Sequence, residues 1–388
     1  MSRVIRADVD GRILAWARTS LRMTVPVAAR KLGVQEEQIV AWEQGQASPT
    51  IPQLRKAARA YGQSFAVFFL PEPPKDFDPD LSDYRRAVGV ARGELSSDFL
   101  LDLRTSAERR QSYLEVLQAS GKEVAPFPLR ADVNEDPEAV GRRFRNALAV
   151  PLDEQFGWRD ERIAFNSWRA TIERAHVLVF QTANVSLSEM RAYSIAEFPY
   201  PVVAVNRKDL YRARTFSLIH ELCHLALRRA GICDLRSSLD LPPEDQAVEV
   251  FCNAVAASTL LPRASFLADD VVARTRPGDV SEAAVRSVAR RYSVSGEVVF
   301  RRLLTLGKAT EDEYRQYRRD VEAAYRTSKP SRKGFVPPPT DVLSKAGRSY
   351  TRTVMAAHDE GVLTGSDAST LLDVRLKHLD SIGALLEE

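Results

Sequence analysis

Cysteine is scarce in this sequence of 388 residues, with only three residues, all within positions 223–252. So few thiols in one stretch cannot form the disulfide framework of a secreted domain, and we expect a reducing, cytoplasmic setting. Long apolar runs are also lacking, because none reaches the length that crosses a bilayer. The segment 1–8 has no apolar core, so we expect no signal peptide and no membrane partner.

A large excess of one charge is lacking as well, since 55 Lys and Arg residues face 52 Asp and Glu residues. The length predicts two to four domains. Residues 1–76 hold 11 basic and 7 acidic residues, a surplus of +4 against +3 for the whole chain. The remainder is therefore close to neutral, and the basic surplus belongs to the amino-terminal segment.

Histidine is rare too, and two of the five histidines stand four residues apart, at His220 and His224. On a helix this spacing puts both imidazoles on one face, where they can bind one metal ion. Glu221 beside them can act as the base toward a metal-bound water, as in zinc hydrolases with the pattern H-E-x-x-H. The alternative is a core helix with two hydrogen-bonded histidines.

Glu249 is the best candidate for the third protein ligand. Glu244 and Asp245 follow a Pro-Pro pair and suit the first turn of a helix. Glu249 lies in the apolar segment 247–251, where an unpaired carboxylate would be costly. We therefore predict one Zn²⁺ per chain, bound by two histidines and Glu249, with water in the fourth position that a catalytic site keeps open.

The zinc segment resembles the ImmA/IrrE family of metallo-endopeptidases. The similarity extends over roughly residues 155–308 and rests on Arg214, Phe216, the H-E-x-x-H pattern, and then Glu249, Asn253, Ala256, Ala257, Leu260, Leu261 and Pro262. It implies a zincin-like α+β fold with a small sheet, whose strands we expect at 175–180, 190–195 and 201–205. It also implies repressor proteins as substrates, and leaves Asn253 as an auxiliary residue.

A helix-turn-helix pattern occupies the amino terminus. Two short helical patterns, Val25–Leu32 and Glu36–Trp42, flank Gly33 and Val34, as in DNA-binding modules. The following segment, 42–71, resembles the Xre/Cro-like repressor family. This resemblance implies an operator in double-stranded DNA as a partner, with a homodimer left open.

Four residues are the candidate DNA contacts. Arg30 and Lys31 would bind phosphates, and Gln35 and Gln38 would read adenine edges. The predicted recognition helix also begins with Glu36 and Glu37, which would repel phosphates. A protein-binding or dimerisation module is therefore the alternative.

The sequence thus predicts a multidomain α+β protein. Its parts are an all-α helix-turn-helix domain (1–76), a helical connector (77–154), the peptidase domain (155–310), and a helical carboxy-terminal extension (311–388) after a proline-rich linker.

Two functions compete. One is a DNA-binding regulator whose zinc endopeptidase cleaves a specific repressor-type protein in a stress or mobile-element response. The other is a non-catalytic, antitoxin-like transcriptional regulator that neutralises a toxin nuclease encoded nearby. A further alternative concerns Cys233, whose thiolate could fill the open zinc position until it is oxidised, although a small buried hydrophobe is the simpler explanation.

Overall fold

The computed structural model describes residues 5–74, 95–229, 231–233, 243–327 and 335–387. They fall into two compact units, and the division lies between Glu108 and Arg109. Within these residues, both units are mainly helical and the sheet belongs to the second. None of the helices in the described part of the chain combines the length and apolar character needed to span a bilayer.

The first unit consists of short helices around one apolar core. Its elements are α1 (Gly11–Thr19), α2 (Val25–Leu32), α3 (Glu36–Glu43), α4 (Ile51–Tyr61), a 3₁₀ helix (Phe65–Phe69) and the first half of α5 (Ser97–Ala119). Gly33 ends α2 with φ 67°, a left-handed conformation that costs glycine little because it has no Cβ. The predicted helix pair is confirmed, with α3 one residue longer than expected.

Close packing of α1 on α3 fixes the helix pair. A Cβ at Gly11 would lie 2.4 Å from the carbonyl oxygen of Glu43, so only glycine allows this approach. Arg18 on α1 donates two hydrogen bonds to the Glu43 carboxylate, at 2.7 and 2.8 Å. Trp42 and Ile13 are buried in the core.

The second unit is an α+β domain with a four-stranded sheet. Its first elements are α6 (Pro137–Ala147), α7 (Leu152–Gly157), α8 (Glu161–Arg174), β1 (Leu178–Thr182), β2 (Ala192–Ile195), β3 (Val202–Asn206), α9 (Tyr211–Ala226), β4 (Ile232–Cys233) and α10 (Pro243–Leu260). The strand order is β1-β3-β2-β4, with β1 and β3 parallel and the other pairs antiparallel. Every residue of β1 to β3 is buried, since α9 packs on β2 and β3 and α8 packs on β1.

The first strand starts later than predicted. We expected it at 175–180, but β1 is Leu178–Thr182. The reason is that α8 continues to Arg174, and His176 then turns the chain with φ 63°. The short strand β4 was not predicted.

Helix α6 belongs to the same core as the sheet. It packs against α10, and its Val140 and Phe144 are fully buried among the core residues of the second unit. The domain boundaries proposed at 76, 154 and 310 stay predictions. The multidomain α+β fold class is confirmed.

The chain continues in helices after α10. These are α11 (Arg263–Ala268), α12 (Asp270–Arg274), α13 (Glu282–Arg291), α14 (Gly296–Thr305), α15 (Glu311–Thr327), α16 (Pro338–Ala346), α17 (Arg348–Asp359), α18 (Gly365–Leu371) and, after a 3₁₀ turn, α19 (Leu379–Glu387). Within the predicted helical extension, Gly347, with a φ of 85°, separates α16 from α17. Helix α16 packs on β1, so the extension is joined to the sheet.

Candidate metal centre

The two histidines of the H-E-x-x-H pattern lie on one buried face of α9. Their Nε2 atoms are 3.1 Å apart, and both side chains are almost completely buried. Glu249 lies on α10, which packs against α9. Its carboxylate oxygens are each 3.2 Å from an imidazole, Oε2 from His220 Nε2 and Oε1 from His224 Nε2. The structure thus brings all three predicted ligands together.

The spacing of the donor atoms fits a zinc ion. Ligand atoms held tetrahedrally at about 2.0–2.1 Å from Zn²⁺ are about 3.3 Å apart from one another. The donor atoms of His220, His224 and Glu249 are 3.1–3.2 Å apart. Two imidazoles and one carboxylate are also one of the ligand sets found in catalytic zinc sites. These residues therefore fit the metal.

Charge and burial act together on the ionisable groups here. Burial alone would lower the pKa of His220, but hydrogen bonding and charge from Glu249 outweigh it and leave the pKa raised. Burial would raise the pKa of Glu249, yet its bonds to both histidines hold that pKa well below the ordinary range. Burial is the main reason that the pKa of Glu221 is raised. The set therefore favours a charged Glu249.

Glu221 is completely buried beside the ligands and has one anchored oxygen. Ser194 Oγ on β2 donates a hydrogen bond to Glu221 Oε2 at 2.8 Å. The backbone N–H of Gly231 donates in turn to Ser194 Oγ at 3.0 Å. Glu221 Oε1 has no hydrogen-bond partner among the described residues. Sequence reasoning missed Ser194 and Gly231, because neither follows a motif or a periodicity that points to Glu221.

The auxiliary residues proposed from the sequence are Asn253 and Cys233. Asn253 lies one turn after Glu249 on α10, and its amide helps to raise the pKa of His220. Cys223 and Cys252 are free and buried, and burial together with the neighbouring Cys223 raises the pKa of the Cys252 thiol. The backbone of Cys233 pairs with Ala192 in β2, but its side chain lies outside the described part of the chain.

The four candidate DNA contacts differ in accessibility. Arg30 and Gln35 are exposed, and Gln38 is half-buried near the start of α3. Lys31 forms an ion pair with Asp98 at the start of α5. Of the four, Arg30 is therefore the exposed cation. Glu36 and Glu37 are also exposed, so the repulsive charges expected on α3 do face solvent.

Comparison with family models gives two matches. Residues 14–68 match the model of a helix-turn-helix domain, and residues 173–304 match the model of an IrrE N-terminal-like domain. Searches of curated proteins and of solved structures each found no match. The second match includes α9 and α10, so it covers His220, Glu221, His224 and Glu249. The chain therefore combines a helix-turn-helix domain with an IrrE N-terminal-like domain, the fused architecture that its motifs indicate.

Proposed function

We propose that this protein is a DNA-binding regulator with a zinc-dependent endopeptidase that cleaves one repressor-type protein partner in a stress or mobile-element response. The observation that carries the proposal is the meeting of three donor atoms from two helices, 3.1–3.2 Å apart. Beside them lies the buried Glu221 carboxylate, one of whose oxygens has no hydrogen-bond partner among the described residues. Both family matches support it at the level of a regulator with a metallopeptidase domain.

The chemistry divides between the metal and the chain. When bound, zinc supplies a Lewis acid that polarises a carbonyl group and lowers the pKa of water. His220, His224 and Glu249 would hold the ion through two imidazole nitrogens and one carboxylate. Glu221 is the general base, because it lies next to His220 and its Oε1 accepts no hydrogen bond from the described residues, which leaves it open to a proton. Burial of Glu221 raises its pKa, which makes it a better proton acceptor.

The helix-turn-helix domain would bring the peptidase to DNA. Exposed Arg30 at the end of α2 would contact phosphate, and exposed Gln35 would face a base edge. Because DNA is the proposed ligand, we also propose a cytoplasmic location. A repressor bound near the same operator would then be a substrate at high local concentration.

The function is tested by zinc analysis together with cleavage. Purified full-length protein, loaded with zinc, is incubated with candidate repressors encoded nearby, and products are read by mass spectrometry. We expect about one zinc per chain, site-specific cleavage by the wild type and none by Glu221→Gln. Glu244→Gln is the matched control, because it removes an exposed carboxylate from the first turn of α10. Because specificity is expected to be narrow, casein should stay intact.

One observation favours the antitoxin-like alternative. Glu221 is 0 % exposed, and His220 and His224 are 1 % and 3 % exposed. A peptide substrate therefore cannot contact these three side chains directly from solvent. Glu249, whose side chain is 21 % exposed, is the ligand that reaches solvent. Tight binding of a toxin nuclease without cleavage, equal in the wild type and in Glu221→Gln, would decide for this alternative.

A further inference from the structure

We propose that Ser194 is the positioning residue of Glu221, and that it fixes which carboxylate oxygen handles the proton. The inference rests on the proposed peptidase function. Ser194 lies on β2, 27 positions before Glu221 in the sequence, and its side chain is buried next to it. No motif of the zinc helices contains this serine.

The direction of each hydrogen bond follows from the donors available. The backbone N–H of Gly231 can only donate, so Ser194 Oγ is the acceptor of the 3.0 Å bond between them. A hydroxyl has a single hydrogen, and its remaining short contact is with Glu221 Oε2, at 2.8 Å. The hydroxyl therefore donates to the carboxylate. The resulting chain of hydrogen bonds runs from the Gly231 N–H through the Ser194 hydroxyl to the Glu221 carboxylate. Bonds in such a chain polarise one another.

Gly231 can take part only because it has no side chain. A Cβ at this position would lie 2.7 Å from the His224 ring and 3.0 Å from Glu221 Oε2. Ser194 also donates its own backbone N–H to the Gly231 carbonyl oxygen, at 2.9 Å. Ser194 and Gly231 are thus joined by two hydrogen bonds, which hold the backbone at Gly231 close to α9.

The consequence for Glu221 is an asymmetry between its two oxygens. Oε2 is held by Ser194, whereas Oε1 is buried without a hydrogen-bond partner among the described residues. With one oxygen anchored, the carboxylate cannot rotate freely, so Oε1 is the atom that takes the proton. Removing the hydroxyl should leave the metal ligands in place and lower the turnover, because a base must be held in position to be effective.

The hydrogen-bond chain can be measured without any substrate. The sequence contains two Ala-Gly pairs, Ala230–Gly231 and Ala346–Gly347. Carbonyl ¹³C-alanine combined with ¹⁵N-glycine labelling therefore selects two amide signals in the full chain. The Gly347 amide donates to the Leu343 carbonyl oxygen and is the internal reference. In zinc-loaded Ser194→Ala, we expect the Gly231 amide to exchange about 2- to 10-fold faster, with Gly347 unchanged.

The positioning role is then measured on the partner protein that the wild type cleaves. For Ser194→Ala we expect zinc content as in the wild type, kcat lower by about 10- to 100-fold, and KM little changed. Ser258→Ala is the matched control, since it removes another buried hydroxyl, one that donates to the Pro137 carbonyl oxygen. It should change none of these quantities.

Each result has one meaning. Unchanged Gly231 exchange, unchanged kcat, or an equal loss in Ser258→Ala overturns the role of Ser194. A wild type that cleaves no partner overturns the proposed peptidase function, and with it the positioning of a base. The two failures are distinguishable, because the amide exchange reports the hydrogen-bond chain in either case.

Discussion

Removing Arg169 should destabilise the second unit strongly, because it leaves a buried carboxylate without its partner. Arg169 Nε donates to Glu173 Oε1 at 2.9 Å on the same helix, and the two side chains are only 7 % and 6 % exposed. The guanidinium also donates to the carbonyl oxygens of Ser344, at 2.7 Å, and of Val179. It therefore ties the carboxy-terminal extension to β1.

The magnitude follows from burial. Breaking a buried ion pair by removing one partner costs about 3–5 kcal/mol, since the remaining charge stays unpaired. In Arg169→Met we expect the melting temperature of the second unit to fall by about 6–20 °C, at about 2–4 °C per kcal/mol for a domain of this size. Arg174→Met is the matched control, because Arg174 is exposed on the same helix and should cost less than about 0.5 kcal/mol.

The pH dependence has a definite sign. Burial raises the pKa of Glu173 above its ordinary value, against the opposing effect of Arg169. A carboxyl whose pKa is raised on folding contributes its stability below the unfolded pKa and loses it as the pH rises through the folded pKa. Without Arg169 the pKa of Glu173 rises further. The loss of folding stability in Arg169→Met, relative to the wild type, should therefore be largest near neutral pH and become smaller toward about pH 4.3.

Scanning calorimetry of the full chain is the assay, since the helix-turn-helix unit supplies a transition that should not move. Hydrogen exchange of the segment 338–346 provides a local check, because this segment should lose protection in the variant. Two results would refute the reasoning. One is a fall in melting temperature in Arg169→Met no larger than in Arg174→Met, and the other is a loss of stability that grows as the pH falls.

Three further predictions concern metal, DNA and thiols. His220→Ala should lower the zinc content from about one per chain to near zero in elemental analysis, whereas Glu221→Gln should keep it; unchanged zinc in the first variant would contradict the ligand assignment. Arg30→Ala should reduce the slope of log affinity against log salt by about one in a DNA titration, and Lys31→Ala should reduce it less, because Lys31 is already paired with Asp98. Cys252 should react with a thiol reagent only after unfolding, since it is buried with a raised pKa; rapid labelling of the native protein would argue against this.

Patterns of neighbouring residues in the sequence predict much of the domain organisation and of the candidate metal site. The spacing of His220 and His224 was enough to place both on one helical face, because helix geometry depends only on neighbours in the sequence. Gly33 between two short apolar patterns predicted the turn of the helix-turn-helix for the same reason. Glu249 was identified from its costly apolar setting, and it does lie 3.2 Å from both imidazoles.

Errors arose where the backbone departs from a regular pattern. The apolar run that begins at Ala175 looked like one strand, but His176 adopts a positive φ and delays β1 to Leu178. Gly347 was not recognised as a break, although a Cβ there would lie 2.4 Å from Glu173 Oε1. The break at Gly347 thus depends on its close packing against Glu173, and the late start of β1 depends on the turn at His176.

The sequence by itself therefore determined the two domain types and the histidine pair, because periodicity and motif spacing are properties of consecutive residues. The tertiary structure alone decided what surrounds the base. Ser194 and Gly231 lie 27 and 10 positions from Glu221 in the sequence. Ser194 is in β2 and Gly231 directly precedes β4, so both reach Glu221 only when the sheet has formed. Contacts of this kind depend on how elements pack, and a hydroxyl or a glycine has no periodic signature that would reveal its partner.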